Sequence, residues 1–206
     1  MKISADKREV PTKLLSWHQA KNKPQYITLG GYAGTGKTTL ISIFRAILKT
    51  KEPGLEVAFV SYTGKATRVL KNKLREAQTL SREDSVSTIH SLIYSPIINS
   101  KDEIIGWEKL EEIEKDLLII DEASMINEEI WRDLISYKIP IFAVGDHGQL
   151  PPIEGRFNLV EKPHLTLTQI HRQVKDNPII KVSKMAREDG FIPFGTYGKG
   201  VMKLDK

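Results

Sequence analysis

Cysteine is absent from the 206 residues, which excludes a disulfide scaffold, thiol catalysis and any cysteine-based zinc or iron–sulfur site. Long apolar runs are absent too. The most apolar stretches, Leu117–Ile120 and Ile139–Val144, fall far short of the ~20 residues that a membrane-spanning helix needs. Met1–Pro11 is charged and has no apolar core, so no secretory signal is visible. No repeat or low-complexity tract interrupts the chain. Neither sign of charge dominates: Lys plus Arg is 31, Asp plus Glu is 26, and the net charge of +5 is too small by itself to name a polyanion partner. Apolar residues at 40% and charged residues at 28% exclude a disordered or fibrous chain. The expectation is a soluble, cytoplasmic globular protein of about one domain.

What is present is an alternation of short apolar runs with helical patterns, the signature of βα units. Tyr26–Leu29, Val57–Tyr62, Leu117–Ile120, Ile139–Val144 and Leu165–Leu167 read as strands. Thr38–Leu48 reads as a helix with Leu40, Ile41, Phe44, Ile47 and Leu48 on one face. Lys65–Glu76 reads as a basic helix with Ala66, Val69, Leu70 and Leu74 inward. Thr88–Tyr94, Glu128–Ser136 and Ile179–Arg187 read as further helices. The fold class is α/β, a mostly parallel sheet with helices on both faces. Two segments stand outside the rhythm. Residues 95–116 read as a small hairpin or an excursion from the sheet, and 191–206 as a ragged end or the start of a linker, leaving 1–190 as the main domain.

Gly31-Tyr32-Ala33-Gly34-Thr35-Gly36-Lys37-Thr38 matches the phosphate-binding P-loop, with a strand before it and a helix after. Glycines let the backbone wrap a phosphate with several N–H groups inward, and the helix N-terminus adds positive potential. Gly31, Gly34, Thr35, Gly36, Lys37, Thr38 and Thr39 are the candidate nucleotide contacts. Lys37 reaches for the β- and γ-phosphates, and the Thr38 hydroxyl for Mg²⁺. Leu117-Leu118-Ile119-Ile120-Asp121-Glu122 ends a buried strand in two acids. Asp121 suits the Mg²⁺ shell and Glu122 suits a general base on the attacking water. A third apolar strand runs into Gly145-Asp146-His147-Gly148-Gln149-Leu150-Pro151-Pro152. Gln149 there reads as a γ-phosphate sensor held by stiff prolines, or as part of a plain polar loop. His18, His147, His164 and His171 show no ligand spacing and read as structural or surface groups.

Taken together, these three segments resemble motifs I, II and III of superfamily 1 helicases, in the RecD/Dda-like branch. Ser61-Tyr62-Thr63-Gly64-Lys65-Ala66 resembles motif Ia of that family, and Ser87-Thr88-Ile89-His90-Ser91-Leu92 the motif that follows it. Leu167-Thr168-Gln169-Ile170-His171-Arg172-Gln173 resembles motif IV. The resemblance runs from about Tyr26 to Arg187, over six ordered motifs. It implies a RecA-like first motor domain in which Gln149 couples the γ-phosphate to the DNA site and Arg172 touches the γ-phosphate. It also implies that Thr63, Lys65, Thr88 and His90 lie along a single-stranded DNA path. From the residues alone, Thr88 and His90 equally read as the cap and packing of a short helix, and Lys65 as a solvated first-turn residue.

The family places a glutamine before the P-loop to read adenine, and Gln19 and Gln25 are the candidates here. It often inserts a strand-separating pin where this chain has 95–116; Trp107 in that segment reads as a base-stacking residue or a hairpin anchor. Motifs V and VI of the family are not found up to Lys206, so the expectation is one half of a motor whose partner is a second RecA-like domain. By the branch assignment the whole motor moves 5′ to 3′ on single-stranded DNA. Two other classes remain open on the residues: a stand-alone oligomeric P-loop ATPase, and a non-catalytic module binding single-stranded DNA or a partner.

Overall fold

The computed structural model describes residues 5–148, 157–168, 178–198 and 200–204. The chain opens with helix α1 (Ala5–Gln19), strand β1 (Tyr26–Gly31), α2 (Lys37–Lys51), β2 (Val57–Ser61) and α3 (Gly64–Glu76). An edge strand β3 (Ser85–Thr88) leads into the short helix α4 (Ile89–Ile93) and a hairpin, β4 (Tyr94–Ile98) with β5 (Ile104–Lys109). Next come β6 (Leu117–Asp121), α5 (Glu128–Ser136), β7 (Ile141–Gly145) and β8 (Leu165–Leu167). Helix α6 (Pro178–Glu188) and a second small hairpin, β9 (Gly195–Gly198) with β10 (Val201–Lys203), follow.

Six strands form one all-parallel sheet in the order β3-β2-β6-β7-β1-β8. Strands β2, β6 and β7 are buried along their whole length, as near-continuous apolar runs in a doubly covered parallel sheet must be. Their side chains alternate between two cores. Phe59, Leu117, Ile119, Phe142 and Val144 face α1, α2 and α3, where they meet Leu14, Phe44, Leu48, Leu70 and Leu74. Ala58, Val60, Leu118, Ile120 and Ala143 face the other side, against Ile89, Ile93, Ile130, Trp131 and Leu134. The expected α/β architecture with helices on both faces is what forms. Because every strand runs the same way, the loops after β1, β2, β3, β6 and β7 gather at one end of the sheet, where open α/β sheets hold ligands.

Several local readings shift. Helix α1 breaks the rule against interior proline, since Pro11 lies inside it. It is held by burying Val10, Leu14 and Trp17 against the sheet. Val69 is 48% exposed, outside the inward face assigned to it, and Ile47 is only half-buried. Both sit one helical step off the stripe that Leu70, Leu74, Phe44 and Leu48 define. Residues 191–204 contain a two-stranded hairpin where no period was visible. Among the described residues, no helix is long and apolar enough to cross a membrane.

Candidate active site

Gly34 and Gly36 carry φ of 85° and 90°, a left-handed backbone that glycine adopts without a Cβ clash. Between them Thr35 is buried, and its hydroxyl and N–H both donate to the Tyr32 carbonyl, at 2.9 and 3.2 Å. Its side chain therefore fastens the loop to itself. Gly36 is the N-cap of α2, so the loop delivers the chain straight into the first helical turn. Lys37 Nζ lies over the loop and donates to the Gly31 carbonyl at 2.6 Å and to the Tyr32 carbonyl at 3.3 Å. Thr39, one residue beyond Thr38, is exposed.

The second half of the site arrives from β6. Asp121 ends that strand 8% exposed; its Oδ2 accepts the Thr38 hydroxyl at 3.2 Å and its Oδ1 accepts the Glu122 N–H at 3.0 Å. Burial pushes the Asp121 carboxyl above its ordinary value, while the Glu122 N–H, the Thr38 hydroxyl, Lys37 and Lys73 pull it back. Glu122 is half-buried and also shifted upward, first by burial and then by Asp121; Asp146 adds to the shift, and Lys37 and Lys73 oppose it. Glu122 adopts φ 59° and ψ 38°, a left-handed conformation that a residue with a Cβ avoids, at the entry to a 3₁₀ turn over Ala123–Met125. Such strain is concentrated at functional sites.

Strand β7 lies between the P-loop strand and the Asp121 strand. At its end Asp146 is buried and accepts the Gly148 N–H at 2.9 Å. Gly148 passes so close to the P-loop that a Cβ there would meet the Tyr32 ring at 2.6 Å, and the His147 and Tyr32 rings stand 4.5 Å apart. The third motif thus touches the first through Tyr32. Asp146 was missing from the candidate residues, although a third apolar strand ending in Gly-Asp was a visible signal for it. Lys73 had no such signal, since it is one lysine among several on a basic helix. Gln149 and Arg172 lie outside the described residues.

The candidate strand-contacting residues gather at the ends of β2 and β3, where Ser61 pairs with Thr88. Thr63 caps α3 by accepting the Ala66 N–H at 3.2 Å, and Thr88 caps α4 by accepting the Ser91 N–H at 3.1 Å. Lys65 and His90 are exposed, and the His90 ring lies between Tyr62 and Tyr94 at 6.3 and 5.5 Å. Gln25 and Gln19 take no part in the site. Gln25 donates to the Ile135 and Ile139 carbonyls, and Gln19 lines a recess with His18, Lys23 and Glu52, both at the opposite end of the sheet from the P-loop. His18 pairs with Glu52, and His164 Nδ1 accepts from the Thr28 N–H, so both are structural. Among the described residues no group of three His, Asp or Glu forms a metal cage. A Mg²⁺ shared with substrate phosphates needs only one or two protein oxygens, and the Thr38–Asp121 pair fits that demand.

An all-parallel sheet, a glycine loop closing onto a helix N-terminus, and a buried acid on a separate strand define a P-loop nucleotide-binding domain. The chain belongs to the AAA-domain family, whose model matches residues 16–197. It is 33% identical over 165 residues to an ATP-dependent RecD2 DNA helicase of Deinococcus radiodurans, covering 76% of this chain and 21% of that protein. It is 30% identical over 182 residues to the ATP-dependent DNA helicase dda of Enterobacteria phage T4, covering 81% of this chain and 39% of that protein. The chain therefore spans between 21% and 39% of the length of these curated relatives. The crystal structure of Pif1 helicase from Candida albicans shares the fold, with a TM-score of 0.58 at 22% identity over 94% of this chain and 45% of that one. These relatives bear out the helicase resemblance drawn from the six motifs.

Proposed function

We propose that the chain is the nucleotide-hydrolysing first motor domain of an ATP-dependent DNA helicase. The observation that carries this is the meeting of Lys37 and Thr38, at the start of α2, with Asp121 and Glu122, at the end of β6. ATP would lie with its phosphates in the Gly31–Thr38 loop, against the backbone N–H groups that open α2. Thr38 and Asp121 would hold Mg²⁺, which when bound neutralises charge on the phosphates. Lys37 exchanges its hold on the loop carbonyls for phosphate oxygens. Glu122, kept at the rim of the cluster by its left-handed backbone, orients the attacking water and accepts its proton. Gln149 and Arg172 would complete the γ-phosphate contacts.

Single-stranded DNA would cross the ends of β2 and β3. There the Thr63 and Thr88 hydroxyls, the Lys65 ammonium and the His90 ring offer phosphate and stacking contacts that read no sequence. The β4–β5 hairpin, with Ile98, Ile105 and Trp107 more than half exposed, serves as a reduced strand-separating pin. A second RecA-like domain, in the same chain or in another, supplies the rest of the catalytic cleft, and translocation runs 5′ to 3′ in the cytoplasm. An isolated 1–190 domain is accordingly slow, since the arginine that such partners supply is worth about 10³–10⁵ in rate.

Steady-state ATP turnover, with and without single-stranded DNA, tests the reading. Turnover is expected to require Mg²⁺ and to fall by about 10²–10⁴ in Glu122→Gln while nucleotide affinity is kept. Equal turnover by wild type and Glu122→Gln would contradict the assigned base.

A further inference from the structure

Helix α3 carries Lys65, Arg68, Lys71, Lys73 and Arg75 against one acid, Glu76, a net of +4 on thirteen residues in a chain whose total is +5. Elsewhere some surface cations find acids: Lys13 pairs with Glu9, Lys115 with Glu56 and Arg132 with Glu128. Among the described residues, no α3 cation is in an ion pair. The helix instead sets like charges three and four residues apart, Arg68 beside Lys71 and Lys71 beside Arg75, where they repel.

The placement is ordered. At about 100° per residue, Lys65, Arg68, Lys71 and Arg75 fall within one stripe about 120° wide, away from the inward Leu70 and Leu74. Thr67 donates to the Ser87 carbonyl of β3 at 3.3 Å, so Lys71, four residues on, lies on the flank toward that edge strand. Lys73 falls on the other flank, where it acts on Asp121 and Glu122. The stripe starts at Lys65, beside Thr63 and Thr88, and runs about 15 Å down the domain.

We propose that Lys65, Arg68, Lys71 and Arg75 form a phosphate track that carries single-stranded nucleic acid beyond the Thr63–Thr88 site, along the β3 edge. The proposal rests on the strand-binding reading above, starts from its Lys65 and extends it to Arg68, Lys71 and Arg75, which lie outside the helicase motifs. An acidic protein is the lesser fit. A protein interface core wants aromatic anchors and apolar area, and the stripe offers neither beyond Val69.

The test compares wild type with the triple variant Arg68→Gln/Lys71→Gln/Arg75→Gln, all on the solvent side of α3. Binding is titrated across salt concentration with thymidine oligomers of about six and about twenty nucleotides. Each lost phosphate contact removes about 0.7 from the slope of log affinity against log salt, so the triple variant loses about 2 on the long oligomer. The short oligomer, held at the Thr63–Thr88 site, keeps its affinity. A control triple at the far end of the sheet, Lys21→Gln/Lys51→Gln/Lys138→Gln, removes the same charge and keeps the long-oligomer slope. An unchanged slope in the α3 variant, an equal loss on both oligomers or an equal loss in the control overturns the track. Tighter binding of poly-glutamate than of the long oligomer overturns it in favour of an acidic protein. Binding of neither oligomer by wild type defeats the strand-binding reading and the track together, whereas wild-type binding with an indifferent variant defeats the track alone.

Discussion

Asp121 and Glu122 are carboxylates that the fold holds at a cost. Burial raises both, and each proton binds more tightly in the folded chain than in the unfolded one. The sign of the linkage follows. Their contribution to stability is fully present below the ordinary carboxylate values of 3.8 and 4.5 and is lost as pH rises through the raised folded values. Glu122→Gln is therefore expected to raise the melting temperature at neutral pH, with the gain over wild type shrinking on acidification toward about pH 4. A gain that grows on acidification would contradict the assignment of burial as the main cause. With Glu122 as the proposed base, the same upward shift is expected to place the acid limb of turnover above 4.5, since a base must be ionised to accept a proton.

Among the elements, α2 does more than open at the P-loop. Arg45 on α2 is fully buried and forks onto Asp84, with Nε at 2.8 Å and a terminal nitrogen at 3.0 Å; it also reaches Ser81 and the Leu55 carbonyl. Asp84 in turn accepts the N–H groups of Val57 and Ser81, so one pair ties α2, β2 and the approach to β3. Removing one partner leaves the other charge buried. Asp84→Ala is expected to cost about 3–5 kcal/mol in urea unfolding, and a paired apolar replacement of Arg45 and Asp84 to recover much of it. The β4–β5 hairpin is anchored to α5 in a similar way. The Tyr94 hydroxyl donates to Asp133, and Lys109 donates to Ser136 at 2.6 Å and sits 4.9 Å above the Tyr137 ring. Tyr94→Phe is expected to speed hydrogen exchange across residues 94–109 while leaving the P-loop unchanged; uniform acceleration across the domain would show that the contact does not hold the hairpin specifically.

How far the elements were legible depended on how each is stabilised. Strands β2, β6 and β7 announce themselves because doubly buried strands must be apolar throughout. The P-loop is legible because its glycines answer a backbone demand, shown here by Gly34 and Gly36. Helix α1 was hidden by Pro11, since its packing against the sheet is a tertiary fact with no local signal. The edge strand β3, written Ser-Val-Ser-Thr, has little apolar character to show. In the site, Lys37, Thr38, Asp121 and Glu122 were readable from spacing and context. The left-handed turn at Glu122 and the reach of Lys73 depend on neighbours distant in sequence, and no local pattern encodes them.

At the level of the whole molecule, the parallel sheet does one thing for function: it brings the ends of five strands to one side. Candidate nucleotide residues follow β1, β6 and β7, and candidate strand-binding residues follow β2 and β3, so the two proposed ligand sites share a single sheet. Tyr32 links the P-loop to the loop after β7, and the Tyr62, His90 and Tyr94 rings link β2 to the root of the hairpin. Bound nucleotide would stabilise the whole domain by mass action, about 2.7 kcal/mol at a hundredfold excess over the dissociation constant.

The most direct measurement is the affinity of this chain for ATP, taken with and without Mg²⁺, in wild type and Lys37→Ala. Binding that needs Mg²⁺ and weakens by about 10²-fold or more in Lys37→Ala is the expected result for a phosphate site built from Lys37, Thr38 and Asp121. Equal binding by the two proteins, or binding indifferent to Mg²⁺, would contradict it.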